Sequence, residues 1–146
     1  MLDLQQLHTK LIDSGSIAQK ILATVVSYYP GRGANGTDEA LCDAGAIAMS
    51  KDTGPSGGFG EVLGRPWKLG RISQEHGILT QCTPDSKLTA TSTGGKGDTL
   101  KIGEQIEIVG QHACLTAAAH PWYYIVDSSS GPADVIVDVW VPWKGW

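Results

Sequence analysis

The stretch QHACLTAAAHPWYYIVD, residues 111–127, decides how the carboxy-terminal half of the chain is read. It follows KIGEQIEIVG, where Ile106 and Ile108 fall on one side of a strand and Glu107 on the other. Divided near His120-Pro121, it reads as two more extended runs, HACLTAAAH and WYYIVD. Residues two apart on a strand share a face, so His112 and Cys114 are expected to point at one object. Imidazole and thiolate are both zinc ligands, but two of them do not close a tetrahedral site: a structural zinc takes four ligands, and a catalytic one keeps positions open for water and substrate. The other reading is a buried cysteine beside a hydrogen-bonded histidine. Spacing alone leaves both open. His120, His76 or a carboxylate would be candidates for a third ligand, although a residue before proline favours extended backbone and His120 reads as a turn residue.

The same pattern continues outward. LGRISQEHGILT, DSKLTATS, DTLKIGEQIEIVG and ADVIVDVWV are short runs divided by turn residues. In the last, Val135, Val137, Val139 and Val141 share a face, with Asp138 and Trp140 on the opposite one. This spacing predicts an antiparallel barrel or sandwich rather than βαβ units. Upstream, KDTGPSGGFGEVLGRP is a long loop rich in glycine and proline and the expected boundary, dividing residues 1–58 from 59–146. Before it, EALCDAGAIAMS reads as a strand ending near Asp43 and then a helical turn. Ile21 to Tyr29, closed by Pro30, is a β-branched strand. Leu2, Leu4, Leu7, Leu11 and Ile12 carry helical spacing, which predicts an amphipathic helix ending near Ser14-Gly15.

Composition removes several classes of function. The chain has 146 residues, 41% hydrophobic and 18% charged, which suits one ordinary soluble domain. A net charge of −4 with no basic stripe argues against nucleic-acid binding, and the tryptophans lack the interleaved basic residues of a base-stacking platform. The apolar run from Val135 to Val141 is broken by Asp138, and no run reaches membrane-spanning length. The amino terminus lacks a signal-peptide pattern, and three cysteines without motif spacing do not make a disulfide framework, so a cytoplasmic setting is expected. Cys42 and Cys82 read as structural thiols.

GRGANG, residues 31–36, matches the glycine spacing of a dinucleotide loop. Pro30 precedes it and no long helix follows, so it reads as a surface turn. In EHG, residues 75–77, Glu75 and His76 are either an acid–base pair or a solvated glutamate next to a hydrogen-bonded histidine. Neighbours on a strand face opposite sides, which opposes their sharing one substrate atom.

Taken together and in order, LATVVSYYPGRGANGTDEALCDAGAIAMSKD, ISQEHGIL, QHACLTAAAHPWYYIVD and VDVWVPWKGW resemble the carboxy-terminal part of the fungal D-serine dehydratases. These belong to the wider D-serine dehydratase-like and D-threonine aldolase group. The resemblance implies a pyridoxal-phosphate lyase with an alanine-racemase-like (β/α) barrel and a carboxy-terminal β domain. It implies zinc held by His112 and Cys114, D-serine as substrate, and a homodimer. Residues 1–58 would then be the incomplete end of the barrel. The aldolase branch places a carboxylate at the second ligand position, so Cys114 points to dehydration. The family's cofactor lysine lies in a motif that none of Lys10, Lys20, Lys51, Lys68, Lys87, Lys96, Lys101 or Lys144 matches. The expectation is the metal half of an active site, not self-sufficient by itself. An aldolase-like parent enzyme and a noncatalytic metal-binding β module are the alternatives.

Overall fold

The computed structural model describes residues 2–82, 99–127 and 135–143. The expected strand DSKLTATS lies outside them. The strands are β1 (Ile21–Tyr29), β2 (Glu39–Cys42), β3 (Gly60–Val62), β4 (Trp67–Ile72), β5 (Gly77–Gln81), β6 (Gln105–Gly110), β7 (Tyr123–Val126) and β8 (Ile136–Trp140). The helices are α1 (Leu4–His8), α2 (Ala46–Met49) and α3 (Ala113–Ala119).

β1 to β6 close into an antiparallel barrel in the order β1-β2-β5-β4-β3-β6, the architecture that the spacing of short runs predicted. Alternation builds its interior. Ala23 and Val25 of β1, Leu79 of β5, and Ile106 and Ile108 of β6 are buried, joined by Trp67, Leu69, Val62, Cys42 and Met49. Glu107, between the two inward isoleucines, sits outside and pairs with Lys20 at 3.0 Å. Tyr28 follows a bulge in β1 between Val25 and Ser27 and meets Trp67 edge to face, with ring centroids 6.1 Å apart. A bulge keeps the strand in the sheet while changing which side chains face inward.

β1 and β2 lie before residue 58, yet they pair with β6 and β5 of the later segment. The barrel is therefore continuous across the glycine-rich loop.

Two expectations about helices are corrected. The amino-terminal helix is only five residues, Leu4–His8. Asp3 starts it with a capping box to Gln6, Thr9 caps the end, and Lys10 adopts a left-handed backbone (φ 61°) that stops propagation. Leu4 packs with Ile17 on Val109 of β6, whereas Leu11 is exposed. The second correction is larger: HACLTAAAH is not extended but forms α3. Alanine has the highest helix propensity, and Ala113, Thr116 and Ala117 bury one face at i, i+3, i+4 spacing.

β7 and β8 form a separate two-stranded antiparallel sheet. Trp140 Nε1 donates to Asp138 Oδ2 at 3.0 Å, so those two residues do share a face.

Candidate functional site

Asp43-Ala44-Gly45 and the EHG stretch, residues 75–77, meet at one end of the barrel. Gly45 is the residue before α2, and the first turn of that helix lies on the β4–β5 turn. The backbone N–H groups of Ala46 and Ile47 donate to the carbonyls of Ser73 and Gln74 at 2.9 and 3.1 Å. A Cβ on Gly45 would stand 2.3 Å from the Gln74 carbonyl oxygen, so only glycine permits this approach. Gly77 is equally confined, its virtual Cβ lying 2.2 Å from Leu69 Cδ1 and 2.6 Å from the Ala44 carbonyl oxygen. Asp43 Oδ1 accepts the Thr24 N–H at 2.7 Å and fixes the strand end. Glu75 and His76 occupy the exposed turn itself rather than a strand, so alternation does not separate them. The turn closes on one backbone hydrogen bond, from the Ser73 N–H to the His76 carbonyl at 2.8 Å, and Ser73 Oγ accepts the His76 N–H at 3.2 Å.

α2 also holds α3. Thr116 Oγ1 bonds the Met49 carbonyl at 2.8 Å, and His120 Nε2 lies 3.0 Å from the Ala48 carbonyl. His120 is thereby occupied in packing and ends α3 with the extended backbone expected before proline. At the other end, the Ala113 N–H donates to Asp3 Oδ2 at 2.9 Å, across 110 positions of sequence. Asp3 thus caps α1 with one oxygen and pins the start of α3 with the other.

His112 is the residue before α3, with an extended backbone, and Cys114 lies in the first helical turn. The two-residue strand alternation that suggested a common target does not apply to them, because Cys114 lies in the first turn of a helix, where residues two apart do not share a face. His112 Nδ1 is 2.5 Å from Asp52 Oδ2. With Nδ1 donating to that carboxylate, Nε2 carries the lone pair, the arrangement that outer carboxylates impose on metal-binding histidines. Cys114 is exposed and unbonded to another cysteine. Imidazole and thiol therefore stand at one helix start, the histidine with its tautomer fixed, and the donor set fits a soft divalent cation such as zinc. Among the described residues, no group of three or more His, Cys, Asp and Glu side chains is placed to hold a metal ion.

Asp52 carried no sequence signal beyond its place in a polar loop, and pairing it with a residue 60 positions away required the fold. The other two cysteines behave as structural thiols. Cys42 and Cys82 have their thiols pushed up from the ordinary range, in both cases chiefly by burial, which disfavours the reactive thiolate.

The chain matches the family described as "Putative serine dehydratase domain" over residues 18–126. It is 44% identical over 150 residues to the D-serine dehydratase of Schizosaccharomyces pombe, covering all of this chain and 32% of that protein. It is 32% identical over 157 residues to the D-serine dehydratase of Saccharomyces cerevisiae, again covering all of the chain and 32% of the relative. The chain thus spans about a third of the length of these relatives. Among solved structures, an alanine-racemase-like protein from Idiomarina loihiensis superposes over the whole chain with TM-score 0.70 at 24% identity, which shows the fold. A D-threo-3-hydroxyaspartate dehydratase in which one cysteine is replaced by alanine, solved in its metal-free form, superposes with TM-score 0.73 at 26% identity, covering all of this chain and 37% of that one. No helix among the described residues is long and apolar enough to cross a membrane. With its family match covering most of the length and its barrel shared with these neighbours, the chain belongs to the serine dehydratase domain family.

Proposed function

We propose that this chain is the zinc-bearing portion of a pyridoxal-phosphate-dependent D-serine ammonia-lyase, which converts D-serine to pyruvate and ammonia. The observation that carries the metal assignment is His112, held at Nδ1 by Asp52, beside the exposed thiol of Cys114. The similarity to D-serine dehydratases supports the substrate class. The metal-free cysteine variant of the hydroxyaspartate dehydratase supports a thiol ligand in this family.

In this reading His112 Nε2 and Cys114 Sγ hold the ion and Asp52 orients the imidazole. The chemistry zinc would supply is Lewis-acid polarisation of a β-hydroxyl oxygen, which makes hydroxide a feasible leaving group. Glu75 and His76 are the candidate proton carriers, on a turn that α2 connects to α3. The described lysines do not fit a Schiff-base partner. Lys10, Lys20, Lys51 and Lys101 are exposed and Lys68 is half-buried on the barrel wall, so no lysine among the described residues offers a cradle for pyridoxal phosphate.

Zinc content per chain tests the proposal directly. The expected result is one equivalent, lost in both His112→Ala and Cys114→Ala, with cobalt replacement giving a sulfur-to-metal charge-transfer band that Cys114→Ala abolishes. A chain that takes up no zinc from micromolar solution, or that keeps it in both variants, overturns the metal assignment. The chain supplied with pyridoxal phosphate alone is expected to make no pyruvate from D-serine; turnover would refute its dependence on a second part. Cys114, where the aldolase branch has a carboxylate, favours dehydration over retro-aldol cleavage.

A further inference from the structure

On the outer wall of the barrel, away from α3, one carboxylate is shared by two arginines. Glu39 on β2 points outward, yet its side chain is only 9% exposed. Arg71 of β4 covers it from one side, with Nη2 2.6 Å from Oε1. Arg32, from the glycine-rich turn after β1, approaches from the other, with Nε 3.8 Å from Oε2. Arg32 is also stacked over the Tyr29 ring, 4.6 Å from its centroid. The arrangement depends on local backbone features: the GRGANG turn, with Gly31 and Gly36 at positive φ, carries Arg32 back over β2, and a bulge between Leu69 and Arg71 sets the register of Arg71.

In the cavity lining two guanidiniums face one carboxylate, whereas the Asp38 carboxylate in the same turn lies outside the lining and accepts from the Tyr28 hydroxyl and the Gly31 N–H. Guanidinium stays protonated at any physiological pH, so two positive charges face one negative charge. Glu39 neutralises one of them and fixes the direction of both. Neither arginine has another hydrogen-bond or ion-pair partner among the described residues, and both side chains are about 60% exposed. Between them lies a cavity of about 130 Å³ lined by Tyr29, Arg32, Glu39, Leu41, Arg71 and Ile78. That is well below the roughly 300–1,000 Å³ of pockets that take drug-sized ligands, so a nucleotide is excluded by size and a group of few heavy atoms is admitted. Planar guanidiniums match oxyanions with two or more equivalent oxygens.

We propose that Arg32 and Arg71, positioned by Glu39, form a binding site for a small oxyanion, a carboxylate or phosphate group, whose short apolar part rests on Leu41 and Ile78. The GRGANG turn, which the dinucleotide pattern does not explain, thereby gains a role as the support of Arg32. The proposal is independent of the lyase reading, because none of its residues belongs to the α3 region.

The test is a titration of the 146-residue chain with sodium phosphate and, separately, sodium acetate, following the arginine Nε–H resonances by NMR, with sodium chloride at matched ionic strength as reference. Saturable shifts at Arg32 and Arg71 are expected with midpoints of about 1–10 mM, the affinity range of a few exposed contacts. Arg71→Gln is expected to weaken binding by about tenfold or more, the loss of a hydrogen bond to a charged group. Tighter phosphate than acetate identifies a phosphate ester as the natural ligand, and the reverse identifies a carboxylate. If Arg71→Gln unfolds because Glu39 is left without its closest partner, Arg71→Lys retains the charge but removes the planar fork, and the same weakening is expected. Chloride reproducing the shifts, or unchanged midpoints in Arg32→Gln and Arg71→Lys, overturns the proposal.

Discussion

Replacing Asp52 by alanine separates a metal-orienting carboxylate from a merely structural one. The Asp52 and His112 side chains are 38% and 34% exposed, so solvent screens their attraction. A pair in that setting contributes about 0–1 kcal/mol to folding. As the support of a metal-bound imidazole, however, the same carboxylate is expected to be worth about 10–100-fold in metal affinity. The two roles therefore predict opposite patterns in one urea-denaturation experiment. Without metal, Asp52→Ala should unfold within about 1 kcal/mol of the parent. With zinc at a hundred times the parent dissociation constant, the parent gains about 2.7 kcal/mol, whereas a variant binding 10–100-fold more weakly gains only about 1.4 to 0.4 kcal/mol. Competition with a chromophoric chelator gives the affinity independently, and His112→Ala supplies the zero point. A variant that keeps the full zinc increment refutes the orienting role. A variant that loses several kcal/mol with no zinc present shows instead that Asp52 mainly braces the fold.

Further predictions concern the frame around that site. Gly45→Ala places a methyl 2.3 Å from one backbone atom and 2.4 Å from another of the β4–β5 turn, so it should cost about 1–3 kcal/mol or more and shift the amide resonances of residues 73–77. Leu79→Ala removes a side chain with no exposed surface from the barrel interior and should lower stability by about 2–5 kcal/mol in urea unfolding. Glu104 has a carboxyl that burial alone would raise, but the Lys101 N–H and the Arg65 guanidinium outweigh burial and hold it below the ordinary range. Its folded-state value is the lower one, so its stabilising contribution is complete above the ordinary carboxylate range and is lost as pH falls through the depressed value. Glu104→Gln should therefore lower stability at neutral pH and flatten the acid limb of the stability profile; an unchanged acid limb would contradict this.

Strand alternation was legible wherever a strand had one face in the barrel. Ile106, Glu107 and Ile108 followed the period of 2, and the β-branched run ending at Pro30 became β1. At α3 the local signals conflict: the β-runs on either side favour extended chain, whereas the alanines at 113 and 117–119 favour the helix that forms. The short α1 escaped because what ended it was the backbone at Lys10, which no side-chain pattern records. For the site, residue identities could be read but not their relations. His112 and Cys114 stood out by type, but Asp52 needed a contact across 60 positions and Asp3 one across 110. Closure of the barrel across the loop at residue 58 was equally invisible, since pairing of β1 with β6 depends on distant partners and local composition pointed to a boundary.

Packing alone dictates some of the residues around α2 and α3 and not others. Gly45 and Gly77 are glycines because any Cβ would strike backbone or a core leucine, and Ala44 is buried beside Gly77. Asp43 is accounted for by the strand end that it ties. Cys42 completes the apolar interior and His120 bonds the end of α2. Nothing in the packing calls for the side chains of Glu75, His76 and Cys114, which are exposed and make no side-chain hydrogen bond to a described residue. Among the described residues, the His112 side chain bonds only the half-exposed Asp52. An exposed thiol and an imidazole held in one tautomer contribute little to folding, as does an acid–histidine pair on a tight turn. The four-residue α2 bonds both the turn that carries Glu75 and His76 and the helix that begins at His112. α2 therefore ties that turn and that helix into one frame.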